Sequence, residues 1–490
     1  MHKVIVVGAG IAGIASAIRL KAKGFEVEVI EANQYPGGKL SQIVGNGYRF
    51  DAGPSLFTMP YLVGELFELA GKTTSKYFEY QRLEEICSYF WEDGTRLVAS
   101  ANIEEFANEI QNKLSVDASI VKAFLAKSGK NYAILEKLFL QKSLHKLSTW
   151  IGRDAWKGYL NILDLGLFET MHQANQRQFG NPKLVQLFDR YATYNGSDPY
   201  QTPATLNIIP HLEYGLGAYL PKGGMVSITN SLVQLAKEMG VIFRMDTNVK
   251  RILVEAKKIK GVEIIEKEGK TTLLPADIVV SNMDISATYY KLLPDQPPPQ
   301  KLLSQPKSSS GIVFYWGIKK QFEQLGLHNI FFSEDYKKEF STIFQKNEVD
   351  NDPTIYINIT SKYESKDAPK GHENWFVLIN VPPNSGQNWE QIIKEARKNI
   401  LNKVSKILGE DISQLIDYEQ VLDPISIELR TSSSQGALYG NSSNNRFAAF
   451  LRHPNFSKQI QNLYFVGGSV HPGGGIPLAL NSAKIMADMI

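Results

Sequence analysis

Short β-branched apolar runs alternate along this chain with longer stretches whose apolar residues return at helical spacing. Lys3 to Val7 is the first run and reads as a buried strand. Ile14 to Lys23 carries Ala, Ile and Leu at helical spacing and stops at Gly24. Glu26 to Ile30 is a second strand, closed by Glu31. Between strand and helix lies Gly8-Ala9-Gly10-Ile11-Ala12-Gly13. The order is strand, glycine turn, helix, strand, acid.

The same reading continues downstream. Tyr48 to Pro54 is a strand entering a turn, and Tyr61 to about Leu69 is helical. Cys87 to Val98 reads as a strand pair with Asp93-Gly94 at its hairpin. Ile103 to about Phe188 is mostly amphipathic helix. Gly223-Gly224-Met225 opens a helix to about Met239, and strands follow at Val241–Met245, Val249–Val254, Lys260–Ile265 and Thr271–Leu274. Ala276 to Asn282 is a buried strand ending in a turn. Pro294 to Ser310 is a proline- and serine-rich crossing. Beyond it come strands at Gly311–Ile318, Ile355–Ile359 and Trp375–Val381, then a helix from Asn388 to Leu408. Asn462 to Gly468 is a strand entering a glycine turn, and a helix from Leu478 closes the chain. No solenoid-type repeat is present.

The opening unit has a physical use. Gly8 permits a tight turn, Gly10 lets backbone approach a pyrophosphate, and Gly13 lets the helix sit close on the strand. The helix N-terminus offers free N–H groups to phosphates. Glu31, about twenty residues beyond Gly10, is placed to accept from ribose hydroxyls. A tight strand–helix corner that binds nothing is the alternative. The turn at Pro36-Gly37-Gly38-Lys39 brings backbone near the same place, with Lys39 a candidate for a phosphate, and Gly53-Pro54 forms a second close-approach turn. No later segment repeats the fingerprint, since Gly215-Leu216-Gly217 lacks the third glycine. One nucleotide site and several close-approach turns suit a resident flavin dinucleotide.

Composition then narrows the classes. The chain has 490 residues, enough for two or three domains. Its net charge of +3 is small for that length, so nucleic-acid binding is not indicated. Cys87 is the single cysteine, which excludes intramolecular disulfides, a redox pair and a thiolate metal site. The histidines show no paired metal spacing, and no metal is expected. The first residues superficially resemble a signal peptide, but the glycine fingerprint accounts for them better. No stretch reaches roughly 18 uninterrupted apolar residues, so a spanning helix is not expected. Leu135 to Phe168 is unusually apolar, with lysines interleaved. It reads either as helical core or as a patch that lies on a membrane and admits a lipid-soluble substrate.

The N-terminal run VIVVGAGIAGIASAIRLKAKGFEVEVIEANQYPGGK resembles FAD enzymes of the amine-oxidase and phytoene-desaturase superfamily. NLYFVGGSVHPGGGIPLALNSAK is similar to the closing flavin-binding segment of bacterial-type carotenoid desaturases, and PHLEYGLGAYLPKGGM and VVSNMD match in order and spacing. Lys39 stands where arginine is usual, and Gly468-Ser469-Val470 replaces a more typical Ala-Gly-Thr. The resemblance covers essentially the whole chain. It implies an α/β fold: a Rossmann-like FAD-binding domain from 1–90, 221–290 and 422–490, with a mixed-sheet and helical substrate domain from 91–220 and 291–421. The helical region, about 103–190, is the part expected to meet a membrane.

By position, the resemblance implies FAD contacts at Gly8, Gly10, Ala12, Gly13, Glu31, Ala32, Gly37, Gly38, Lys39, Gly53, Pro54, Ser55, Val249 and Asn282. Flavin-end contacts are implied at Gly467, Gly468, Pro472, Gly473, Gly474, Gly475 and Ile476. Arg153-Asp154 matches a pair proposed as acid and base in relatives, and His471 is a positioning candidate. Asp154 either takes a proton or is only paired with Arg153. The implied reaction is carotenoid desaturation, with quinone or oxygen as electron acceptor, since no second Rossmann unit is present for NAD(P)H. Leu187 to Gly196 resembles the subgroup that inserts a 3,4 double bond into hydroxylated or end-modified carotenoids, such as γ-carotene and its 1-hydroxy derivative. A phytoene-type desaturase, a carotenoid isomerase, an amine oxidase and a non-enzymatic prenyl-binding escort are the alternatives. A cytoplasmic location on the inner face of the cell membrane is expected; the oligomeric state is left open.

Overall fold

Strands Lys3–Val7 and Glu26–Ile30 lie parallel, with Val4 opposite Val27 and Val7 opposite Ile30. These come from a computed structural model that describes residues 2–151, 158, 161, 165–266, 269–445 and 447–490. Ile278–Ser281 pairs on the other side of the first strand, Leu463–Phe465 lies beyond it, and Ile242–Arg244 forms the far edge. All five strands run parallel, and their central members are buried on both faces, as their β-branched composition requires.

Alternation sorts the side chains. Val4, Val6, Val27 and Val29 face helices Ile11–Ala22, Val226–Glu238 and Ile476–Ala487. Ile5, Val7 and Ile30 face the opposite way, against the antiparallel strands Asn248–Glu255, Lys258–Ile265 and Thr271–Pro275. Four separated passages of chain therefore build one sheet.

The second sheet has seven strands in the order Ile416–Leu422, Ser310–Ile318, Glu373–Val381, Ile355–Asn358, His328–Phe331, Glu85–Phe90 and Arg96–Ser100. Every pair is antiparallel except His328–Phe331 with Glu85–Phe90. Strand Ser310–Ile318 shows how the sheet divides space. Ile312, Phe314, Trp316 and Ile318 pack in one core with the long helix Trp389–Leu408, whereas Val313 and Tyr315 pack on the other face with Tyr48, Phe50 and Phe376. Helices Ile103–Leu114, Ala118–Leu135, Met171–Phe179 and Pro182–Asp189 complete a third core against Glu85–Phe90. Asn102, Asp117 and Asn181 cap three of them, and Thr170 with Gln173 forms a capping box on the fourth.

Two strands of this sheet escape the apolar reading. Ile416–Leu422 is an edge strand with polar residues in its exposed positions. His328–Phe331 is short, and its buried Asn and His are held by side-chain hydrogen bonds: Asn329 Nδ2 donates to Gly326 O at 2.8 Å and to Ile357 O at 3.2 Å, and His328 Nδ1 bonds Tyr356 Oη at 2.7 Å, while His328 Nε2 has no partner among the described residues. The expected division after residue 90 also shifts. Glu85–Phe90 pairs with Arg96–Ser100 and His328–Phe331, so it belongs to the seven-stranded sheet. The first helix begins at Ile11 rather than Ile14, since Gly10 is the extended N-cap residue and Ile11, Ala12 and Gly13 already form the first turn.

Candidate functional site

A continuous cavity of about 760 Å³ runs between the two sheets. One end is closed by the parallel sheet's glycine turns. The other is lined by Ile86, Leu206, Ile209, Leu212, Ile330 and Leu378.

The turn end is built from the fingerprint. Gly8 has φ +97°, a conformation that side-chain-bearing residues rarely adopt. A Cβ on Gly10 would come within 2.5 Å of Asn282 Nδ2, and one on Gly13 would overlap the Gly8 carbonyl oxygen. Gly13 does not line the cavity; it lets the helix seat against the turn. Glu31 is buried at the cavity edge. Its Oε2 accepts from Ala9 N at 2.7 Å, and its Oε1 accepts from Asn33 N at 2.9 Å and Asn33 Nδ2 at 2.7 Å. A carboxylate offers about four lone-pair positions, so a ribose hydroxyl still finds an acceptor there. Ala32, Thr247, Asn248 and Val249 continue the wall at this end.

Two helix N-termini open on the same space. Ile11–Ala22 starts after Gly10 and Ile476–Ala487 after Gly475, and neither has a side-chain cap. Their first N–H groups are available to an anion or to polar ring atoms. A Cβ on Gly475 would meet no protein atom within 4 Å, so the space beside it is open cavity. The glycine cradle, the uncapped helix starts and the ribose-type acid together fit a dinucleotide.

Lys39 lies half-buried on the cavity wall and donates to Ala437 O at 3.1 Å and Leu438 O at 2.9 Å. Two of its three protons are thus spent on carbonyls. Burial pulls its pKa down to about 8, with Asp284 pulling the other way. Gly37, Gly38, Gly53, Pro54, Ser55, Ala12, Asn282, Gly467, Gly468, Gly474, Gly475 and Ile476 all line the cavity. Pro472 and Gly473 do not; they lie behind that wall.

His471 is likewise behind it. Its ring is buried, its Nε2 bonds Lys142 O at 2.8 Å, and burial drives its pKa down to about 3. The ring is therefore neutral and faces away from the cavity, which removes the expected positioning role. Arg153 and Asp154 lie outside the described residues.

Three participants were not foreseen from sequence. Arg452 is buried and donates to Tyr439 O at 3.2 Å, Gly468 O at 3.3 Å and Asn441 O at 3.1 Å, holding the turn that carries Gly468. Arg430 lines the cavity and donates to Tyr35 Oη at 3.1 Å. Glu213 lines the apolar end, in contact with Arg190. A lone Arg or Glu in a polar segment carries no periodic signal; only the fold brings these to the cavity.

The comparisons agree with this geometry. Residues 11–490 match the family described as flavin containing amine oxidoreductase. The chain is 53% identical to a 1-hydroxycarotenoid 3,4-desaturase of Flavobacterium sp. (strain P99-3), over 100% of this chain and 99% of that protein. It is 32% identical to a 4,4'-diapolycopene oxygenase of Methylomonas sp, over 100% and 98% respectively. Among solved structures, the cyclohexylamine oxidase of Brevibacterium oxydans IH-35A superposes with a TM-score of 0.63 at 15% identity, covering 100% of this chain and 98% of that one; this likeness shows the fold.

Two outcomes follow for the turn end. Gly13→Ala displaces the Gly8 carbonyl, and the purified variant is expected to lose most of its bound FAD, read from its visible absorbance. Lys39 is protonated below about pH 8 and neutral above it. Phosphates favour the protonated form, so FAD affinity is expected to hold below that pH and fall as pH rises through it. Titrating FAD into apoprotein at increasing pH checks this, and Lys39→Met is expected to flatten the dependence.

Proposed function

This chain belongs to the flavin-containing amine oxidoreductase family, and we propose that it desaturates the acyclic end of a carotenoid, inserting a 3,4 double bond. It is an FAD-dependent oxidoreductase. One observation carries the substrate reading. The cavity passes without a break from glycine turns, uncapped helix starts and Glu31 into a wall of Ile and Leu side chains. A long polyene fits such a wall. The identity of 53% over the full chain to a 1-hydroxycarotenoid 3,4-desaturase supports the same choice.

Desaturation removes a hydride and a proton from adjacent carbons. FAD held at the turns by Gly8, Gly10, Glu31 and the start of the helix Ile476–Ala487 would supply the hydride acceptor, with quinone or oxygen the proposed final electron acceptor. The protein's task is placement. Ile86, Leu212, Ile330 and Leu378 exclude water and hold the chain extended. Charge developing at the allylic carbon spreads along the polyene itself, so no strong nucleophile is required. Asp154, with Arg153 beside it in sequence, remains the proposed acceptor of the vicinal proton.

We also propose that the enzyme works on a membrane surface, the inner face of the cell membrane. Among the described residues no helix is long and apolar enough to cross a membrane. Leu147 is 77% exposed, Ile151 69% and Phe168 66%, all within the apolar stretch, and Leu147 directly follows Lys146 in sequence. Large apolar side chains flanked by lysines suit shallow insertion under anionic headgroups. Leu144 and Leu165 are buried, so only part of that stretch is free to insert.

Pigment analysis tests the reaction. Host cells that make γ-carotene and its 1-hydroxy derivative are expected to yield a red-shifted product with this chain, and hosts limited to phytoene none. Coloured product from phytoene would move the assignment to a phytoene-type desaturase. An isomer without mass change would mark an isomerase, and colourless protein that does not take up FAD an escort. The double variant Leu147→Glu, Ile151→Glu is expected to cut several-fold the fraction that sediments with anionic vesicles.

A further inference from the structure

The apolar end of the cavity contains an ion pair. Arg190 and Glu213 are both buried, line the cavity, and approach to 3.5 Å. Tyr194 Oη bridges them: it accepts from Arg190 Nη1 at 3.2 Å and donates to Glu213 Oε1. Tyr191 Oη donates to Glu213 Oε2 at 2.6 Å, and Tyr89 Oη accepts from Arg190 Nη2 at 2.6 Å. The rings of Tyr89, Tyr191 and Tyr194 surround the guanidinium with centroids at 5.2, 4.4 and 5.5 Å. Arg190 therefore stays a cation in a desolvated place, its pKa raised well above the ordinary value despite burial, by the tyrosines and Glu213.

A wall that touched only hydrocarbon would not need this. Burying two charges costs more than packing apolar side chains of similar volume, and such a pair is a poor source of stability. Its use has to be sought in what it faces. The neighbouring lining is Ile86, Cys87 and Leu212 together with the polar His328 and Tyr356, so the pair is the charged part of a polar island beside apolar lining.

Its place relative to the cofactor end is fixed. The short helix Arg190–Asn195 runs from the pair toward the glycine turns. Asn195 Oδ1 accepts from Arg452 Nη2 at 3.3 Å, and Arg452 Nη1 donates to Gly468 O at 3.3 Å. Tyr194 is thus one residue from a direct tie to the flavin-end wall. In a 3,4-desaturation, a substituent on carbon 1 is only three bonds from the reacting carbon 3. Whatever reads that substituent must sit beside the flavin end, not at the far end of the tunnel.

We propose that Arg190, Glu213 and Tyr194 form an end-group subsite that reads a hydroxyl on the saturated terminus of an otherwise apolar polyene. This rests on the carotenoid reading above. A hydroxyl has one proton to donate and two lone pairs. Glu213 accepts the proton in a hydrogen bond beside those it takes from Tyr191 and Tyr194, and Arg190, whose guanidinium has more N–H groups than Tyr89 and Tyr194 use, supplies a donor to the oxygen. A chain ending in hydrogen leaves the island's groups without that partner, and a site built to bond a hydroxyl discriminates strongly against the analogue lacking it.

The test uses the FAD-loaded full chain in vesicles, with a 1-hydroxylated carotenoid and its unhydroxylated counterpart of equal length. Wild type is expected to favour the hydroxylated substrate in kcat/KM. In Tyr194→Phe and Glu213→Gln, the hydroxylated substrate is expected to lose about ten- to hundredfold more kcat/KM than its counterpart. Retained flavin absorbance and thermal midpoint show that the variants are folded, and the substrate ratio is a readout that a purely structural role would not move. A variant that is folded but keeps the wild-type ratio, or loses both substrates equally, overturns the subsite while leaving the desaturase reading in place. Wild type that carries FAD and converts neither carotenoid overturns that reading, and the subsite with it.

Discussion

Asn282 stands where the glycine turns converge, and the geometry of the cofactor end depends on that crowding. Its backbone N–H bonds Val7 O at 2.8 Å, which registers the end of one central strand against the other. Its side-chain amide lies so close to Gly10 and Gly467 that a Cβ on either would fall within 3.0 Å of it. Three distant passages of chain thereby meet with no room for side chains. The glycines that make a phosphate cradle also make this packing possible, so binding and folding impose one constraint.

The polar groups around that junction are treated unequally by burial. Lys39 and Arg452 are both desolvated, and each is satisfied mainly by backbone carbonyls, not by a carboxylate bonded to it. They act as straps on the segments that carry Leu438, Tyr439 and Gly468 while adding positive charge near the place for a dinucleotide. Arg190 is desolvated too, yet is held by tyrosines and a carboxylate. The two ends of the cavity thus use buried cations differently: one shapes backbone, the other keeps a charged pair in contact with substrate space.

The seven-stranded sheet supplies the second wall through simple alternation. Because successive side chains leave a strand on opposite faces, Ser310–Ile318 gives Trp316 to the core under the long helix and Val313 to the cavity. One strand serves both the core and the cavity wall. A change on the cavity face can therefore alter specificity without touching the core behind it.

Sequence alone determined the first strand–turn–helix–strand unit, most strands and helices, and the cluster of glycines at both ends of the chain. These are local: a β-branched run, a positive φ and a helical period are each written in a few neighbouring residues. It did not determine the edge strand Ile416–Leu422, whose polar positions face outward, nor His328–Phe331, whose buried His328 and Asn329 find partners in Tyr356 and Ile357 on the neighbouring strand. Nor did it separate the residues that line the cavity from those behind its wall. His471, Pro472 and Gly473 lie within the same glycine-rich segment as Gly474 and Gly475, yet only the latter two face the cavity. Glu213 and Arg190, 23 residues apart (213 − 190), met only when two short helices closed on each other. Local periodicity encodes which face of an element is apolar; which faces enclose a common space is decided by how the elements pack.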